Sequence, residues 1–354
     1  MQRIVVTGGA GFVGSNLCVV LKQAYPEAEI LAVDNLYRRG SEKILPRLAQ
    51  FGIEHRNIDV RDRARVSELP AFDLLIECSA EPSVKAGVGE NPTYMLDTNI
   101  LGAINCIEIA RKYDAKVIFL STSRVYSIET LSSLPLKESE NRFVLDLEDH
   151  PHPVGVSEFG IDTSFNTVGY RSLYGASKLS AEQIYQEYAN TYNMRICILR
   201  SGVIAGPWQL GKTDQGFVSH WCASFLRKAK LNYIGFGGTG KQVRDILHID
   251  DLAQLVLMLV EQDLGFDAKP YQIGGGLVGN ISLLELTNIC KEISGINIAF
   301  GHVEETHPTD IPFYISDSRE IEALLGWKPS CDARRVVIDI FEWLEENSQF
   351  LRVD

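Results

Sequence analysis

A glycine-rich turn set between an apolar run and a helical one limits what this chain can fold into more than any other feature. Arg3-Ile4-Val5-Val6-Thr7 reads as a buried strand and runs straight into Gly8-Gly9-Ala10-Gly11-Phe12-Val13-Gly14, after which helical spacing begins. Glycines at 8, 11 and 14 let the backbone turn tightly, approach a diphosphate and pack helix on strand, while the helix N-terminus offers N–H groups to an anion. Such a motif alone also describes an ordinary structural turn. Here the strand–turn–helix context is present, and Asp34 closes the next apolar run about twenty residues on. A carboxylate there accepts from a ribose diol and repels a 2′-phosphate. The pattern predicts a dinucleotide site that takes NAD rather than NADP, lined by Gly8, Gly11, Phe12, Val13, Gly14, Asp34 and Asn35; Arg38 and Arg39 pull the other way. Asp59-Val60 closes a third strand where adenine would lie, with an ordinary strand-end carboxylate as an equal alternative.

Further apolar runs at Glu29–Asp34, Phe72–Ser79, Lys116–Ser121 and Arg195–Arg200 alternate with helical spacing over Gly14–Ala24, Asn99–Tyr113 and Tyr174–Tyr192. Val/Ile/Leu-rich runs bounded by turn residues read as strands buried on both faces, which predicts a doubly wound α/β fold with a parallel sheet. The expected division is a dinucleotide-binding domain over 1–205, with 241–275 returning to it, and a smaller, partly discontinuous lobe from 206–240 and 276–354. The polar stretch Leu131–Thr167 is expected to be a long excursion over the mouth of the site.

Of the 354 residues, 45% are hydrophobic and 23% charged, ordinary for a globular protein that buries a full core. The net charge of -12 argues against nucleic-acid or anionic-membrane binding, which need clustered Lys and Arg. Seven scattered cysteines, none in a C-x-x-C pair, read as buried free thiols. No charged-then-apolar leader precedes the first strand and no apolar run is long enough to cross a bilayer, so the expected compartment is the cytoplasm. The histidines show no metal spacing, and no metal is expected.

Tyr174-Gly175-Ala176-Ser177-Lys178 opens a helix, and residues four apart share a helix face, so phenol and ammonium can point at one ligand. A nearby ammonium and an oxidised nicotinamide can lower a tyrosine by about 3 pKa units, making it a base. By itself a Tyr-x-x-x-Lys pair is more often chance. Its position after a strand that ends Ser121-Thr122-Ser123-Arg124-Val125-Tyr126, where a hydroxyl can bond the reacting oxygen, changes that balance.

Together these motifs resemble the extended short-chain dehydrogenase/reductases, the NAD-dependent epimerase/dehydratase group, over nearly the whole chain. The resemblance implies a Rossmann domain and a catalytic set of Thr122, Tyr174 and Lys178. It adds Ser79, Ala80 and Asn99 to the cofactor residues; an N-cap is an equal reading of Asn99. Ser123 and Arg124 stand where 4,6-dehydratases carry an Asp-Glu pair, which argues against dehydration. Thr213–Val218 and Gly240–His248 look like the CDP-tyvelose (CDP-paratose) 2-epimerases. By that likeness Arg244 would grip a diphosphate, as its fork of donors suits. Asp214, Gln215 and Gly216 would line the sugar or nucleotide pocket; a surface arginine and a simple turn are the plainer readings. Three departures stand out: Glu77-Cys78-Ser79-Ala80-Glu81 replaces the usual His-x-Ala-Ala/Gly, His307-Pro308-Thr309-Asp310 replaces Arg-x-x-Asp, and the insertion before Tyr174 is long. His307 is counted among the substrate contacts, with an exposed loop histidine as the alternative. The implied activity is NAD-dependent epimerisation of a nucleoside-diphosphate sugar at C2, the NAD tightly held and recycled, in a homodimer. A 4-epimerase, or a non-catalytic nucleotide sensor on the same scaffold, are the other readings.

Overall fold

A computed structural model describes residues 2–84, 87, 89, 91–148, 152–211 and 215–351. Among these, seven parallel strands form the main sheet, in the order Pro270–Ile273, Ile196–Ser201, Lys116–Thr122, Leu74–Glu77, Arg3–Thr7, Glu29–Asp34, Glu54–Asn57. Side chains alternate across a strand, and both faces are covered. Ile4, Val6, Ala32, Ile76, Ile118 and Leu199 pack on one side, where Leu17, Leu21, Leu252 and Leu259 close the layer. Val5, Leu31, Leu75, Val117, Phe119 and Ile198 pack on the other, against Ala103, Ile107, Ala181 and Tyr185. The chain leaves Arg3–Thr7 toward one edge and later returns to build the other from Leu74–Glu77. That reversal opens a crevice beyond the C-terminal ends of these two strands, where ligands of such sheets bind.

The third strand, Glu54–Asn57, ends two residues before Asp59, so Asp59-Val60 lies in the turn beyond it and not in the strand. The expected return of 241–275 also divides. Ile249–Gln262 packs on the main sheet and Pro270–Ile273 extends it, but Val243–His248 pairs with Val203–Ala205, Asn280–Ser282 and Phe313–Tyr314 in a second sheet. Helices Phe217–Leu226, Leu283–Ser294 and Ala333–Glu346 cover this lobe with Trp221, Phe225, Leu286, Val337 and Phe341.

The stretch over 131–167 is more than an excursion. Its hairpin Leu136–Glu138/Phe143–Leu145 is tied to the lobe by Phe143 N–H to the Lys241 carbonyl (2.9 Å) and by Arg142 Nη1 to Asn280 Oδ1 (2.7 Å). Val156, Ile161 and Phe165 share a core with Tyr126 and Phe313–Ile315. Apolar residues hidden in a polar run supply this anchoring. All seven cysteines are free, five of them buried. Among the described residues no helix is long and apolar enough to cross a membrane, and no group of three or more His, Cys, Asp or Glu is placed to hold a metal ion.

Candidate active site

The glycine turn is built with no space to spare. A Cβ on Gly14 would lie 2.2 Å from the Gly8 carbonyl oxygen, and one on Gly8, at φ +64°, would lie 2.8 Å from the Cys78 carbonyl oxygen. Gly11 caps the helix Phe12–Ala24 without a side-chain hydrogen bond, so only backbone faces whatever binds there. Phe12 and Val13 turn into the core beneath. Asp34 is half-buried and its carboxylate fixes both sides of the cradle, accepting from Ala10 N (3.1 Å) and Leu36 N (2.8 Å). Burial raises its pKa and these two bonds oppose the rise. Asn35 donates to Asp59 (2.9 Å), whose carboxyl is held down to about 2 chiefly by hydrogen bonds from the Arg61 guanidinium. Arg61 in turn lies over the Tyr94 ring, which stacks on Tyr37. Val60 is buried against Gly102. Ser79 donates to Thr7 (3.1 Å), tying the two strand ends that flank the crevice; Ala80, beside it, is half-buried.

Asn99 is no N-cap. It sits inside a π-turn, Asp97–Leu101, that leads into the helix Gly102–Lys112, and it is 1% exposed. Its amide grips the backbone of Glu81 on both sides (2.8 and 3.1 Å) and donates to Ser177 (3.0 Å), one residue before Lys178. It thereby locks the loop after the fourth strand to the helix that carries Tyr174. π-turns of this kind recur at functional sites.

Thr122, at the end of its strand, acts on the Tyr174 phenol from nearby, and its hydroxyl accepts from Arg124 N (3.2 Å). Ser123 lies in the same short turn. The expected lowering of the Tyr174 phenol is reversed in the protein alone: burial raises it, opposed by the Thr122 hydroxyl and the Arg124 guanidinium. Lys178 shares the helix but is 2% exposed, its ammonium 3.9 Å from the centre of the Phe119 ring.

From the second lobe, Gln215 donates to Glu81 (3.2 Å), bridging the two halves beside Tyr174. Gly216 takes a left-handed conformation to start the helix Phe217–Leu226. Asp214 lies outside the described residues. Arg244 donates to Asp310 Oδ1 (2.8 Å) and to the carbonyls of Ile311 and Val243, so its fork is engaged by the protein itself. Arg124 donates to the Thr309 carbonyl (3.2 Å), and both guanidiniums are influenced by the Asp310 carboxylate, with Asp245 acting on Arg244 as well. His307 spends its Nδ1 on the Thr309 hydroxyl and N–H of its own loop, which it braces.

Comparison with known proteins follows this geometry. Residues 4–274 match the NAD dependent epimerase/dehydratase family. The chain belongs to that family. It is 27% identical over 351 residues to a CDP-paratose 2-epimerase of Salmonella typhi, covering 97% of this chain and 99% of the relative. It is 29% identical to a putative UDP-glucose 4-epimerase of Methanocaldococcus jannaschii, covering 98% and 99%. Its fold superposes with a TM-score of 0.78 on UDP-glucose 4-epimerase from Bifidobacterium longum, solved with NAD+ and UDP, at 21% identity over 99% of this chain and 100% of that one.

The residues present fit the NAD on which this epimerase/dehydratase family depends: a turn in which a Cβ at Gly8, Gly9 or Gly14 would clash, an uncapped helix start and a carboxylate held by two backbone N–H groups. Several functional neighbours were not read from the sequence. Glu182 and Arg200 form a buried bidentate pair that also takes the Ser121 hydroxyl, directly beneath Thr122. Tyr126 donates to Gln272 (2.8 Å) and contacts the Asp162 carbonyl, tying the 131–167 stretch to the sheet. Glu182 stands four residues after Lys178, and the shared helix face was the available signal.

Proposed function

We propose that the chain epimerises a nucleoside-diphosphate sugar, inverting C2 of a CDP-hexose or CDP-dideoxyhexose through a transient 2-keto sugar. The observation that carries this is the meeting of Thr122, Tyr174 and Arg124 at the strand end next to the glycine cradle. The full-length likeness to a protein named CDP-paratose 2-epimerase supports the choice of carbon and nucleotide.

In this reading Tyr174 takes the proton of the sugar hydroxyl, and Thr122 orients the oxygen that becomes the carbonyl. The glycine turn and Asp34 would hold NAD, which when bound would supply the acceptor and donor of hydride, with no net redox change. Lys178 contributes a positive charge under the site, which favours the phenolate. Arg124 and Arg244 hold the diphosphate, with Asp310 parting to release the Arg244 fork. Glu81 and Gln215 border the sugar. The anchored 131–167 stretch and the second lobe close the pocket, so that the keto sugar is retained while it turns. Pairing of Asn99–Tyr113 and Tyr174–Tyr192 across a two-fold would make the homodimer; Leu101 and Tyr192 are exposed on these helices. Free cysteines fit a reducing cytoplasm.

A second reading, epimerisation at C4, is favoured by the likeness to the putative UDP-glucose 4-epimerase, since both reactions use the same groups and differ in which carbon faces the nicotinamide. The test is incubation of the purified protein, without added cofactor, with CDP-, UDP-, GDP- and dTDP-hexoses and CDP-dideoxyhexoses in deuterated water, followed by NMR. A C2-inverted sugar that keeps its C2 hydrogen supports direct hydride return at C2. Inversion at C4 alone moves the chain to the second reading, and no inversion of any sugar overturns both.

A further inference from the structure

We propose that Glu77 is a positioning residue for the lysine of the catalytic helix: a buried carboxylate that keeps the Lys178 ammonium charged and in place beneath the cofactor cradle. Register puts Glu77 between Thr7, just before the glycine turn, and Phe119. It points to the face covered by the helices Gly102–Lys112 and Leu173–Tyr192 and is 1% exposed. A carboxylate so placed is costly unless it is paired. The Tyr185 hydroxyl donates to it and also lies 3.1 Å from the Ala103 carbonyl oxygen. The Tyr185 ring meets Phe119 edge-on at 4.6 Å, and the Lys178 ammonium sits 3.9 Å from the centre of that same Phe119 ring. Lys178 and Tyr185 are two turns apart on one helix face. Ammonium, hydroxyl and carboxylate thus gather around the Phe119 ring in one buried layer.

The other groups near this layer leave the role to Glu77. Glu182, from the same helix, is committed to Arg200 through three contacts and to Ser121. Cys106, from the neighbouring helix, is pushed up by burial and is a neutral thiol, as is Cys78, which follows Glu77 and packs on the opposite face of the sheet. Burial drives Glu77 and Lys178 toward their uncharged forms, and the attraction between them opposes this in both. In the reading above the lysine acts on Tyr174 through its charge, so Glu77 would act on the reaction through the lysine. The functional half of this proposal rests on the role given to Tyr174 and Lys178 above.

The test uses the full-length protein labelled with 13Cε-lysine, the Lys178 signal being assigned by its loss in Lys178→Arg. In Glu77→Gln, which keeps the volume and the bond from Tyr185, the Lys178 signal should titrate at least about one pH unit below its position in the unaltered protein. With the charged fraction changing tenfold per unit, kcat should fall about tenfold at the alkaline end, stay within about threefold at the acidic end, and leave KM nearly unchanged. A purely structural role would move melting but not this titration. Should Glu77→Gln not fold, Glu77→His, neutral above its usual titration range, must give the same displacement. An unchanged Lys178 titration in a folded variant overturns the proposal. A displaced titration in a protein that turns over no nucleotide sugar upholds the pairing, and it is then the epimerase reading that fails.

Discussion

Arg200→Met removes the cation from the pair under the catalytic strand and should be among the most damaging single changes outside the site. Arg200 reaches Glu182 through Nε (3.1 Å to each oxygen) and Nη2 (2.7 Å), and the two side chains are 7% and 2% exposed. Breaking a buried pair by removing one partner costs about 3–5 kcal/mol, because the remaining charge stays desolvated and unmatched. Glu182 would keep the Ser121 hydroxyl and the more distant charge of Lys178, which argues for the lower end, about 3 kcal/mol. The same change removes one of the contacts of the Tyr126 hydroxyl and that of the Thr163 carbonyl, loosening the 131–167 stretch. Urea unfolding at fixed protein and NAD concentration measures the loss, since bound cofactor adds stability of its own. Arg200→Met with Glu182→Leu removes both charges and should recover about 2 kcal/mol over the single variant. A single variant that loses less than about 1 kcal/mol, or a double variant no more stable than the single, would refute the reasoning.

Three further outcomes are expected. Gly14→Ala drives a Cβ to 2.2 Å from the Gly8 carbonyl oxygen and must displace the helix start, so NAD affinity measured by calorimetry should drop at least about tenfold while the protein still melts cooperatively. Tyr174→Phe should lower turnover by about a hundredfold or more with NAD binding retained; normal cycling would show that another group moves the proton. Asp245 is 0% exposed and burial raises its carboxyl to about 6, so the folded state holds a proton that the unfolded chain releases near pH 4. Its stabilising contribution is complete below about pH 4 and is lost as pH rises through about 6. From pH 4.5 to 7 the wild type should lose about 2 kcal/mol relative to Asp245→Asn in urea unfolding, and a flat difference would mean an ordinary carboxylate.

The sequence by itself determined the doubly wound architecture and the cofactor turn, because both are written in local terms. Alternation and apolar runs report burial within a few residues, and a turn that admits no Cβ requires glycine wherever the chain folds. The spacing of Thr122, Tyr174 and Lys178 was legible for the same reason, each standing at a strand end or one helix turn apart. Only the tertiary structure decided what surrounds them. That Asn99 is a clamp and not a cap depends on Glu81 and Ser177, which lie 18 and 78 residues away. That Arg244 is held by Asp310 depends on a contact across 66 residues. Val243–His248 joined the second sheet because its partners, Asn280–Ser282 and Phe313–Tyr314, come later in the chain than any periodicity in the strand can report. Glu77 looked like a departure from a pattern; folded, its carboxylate lies in the buried layer that holds the Lys178 ammonium, since the neighbours of a buried charge are chosen by what the packing brings within reach and not by what lies nearby in sequence.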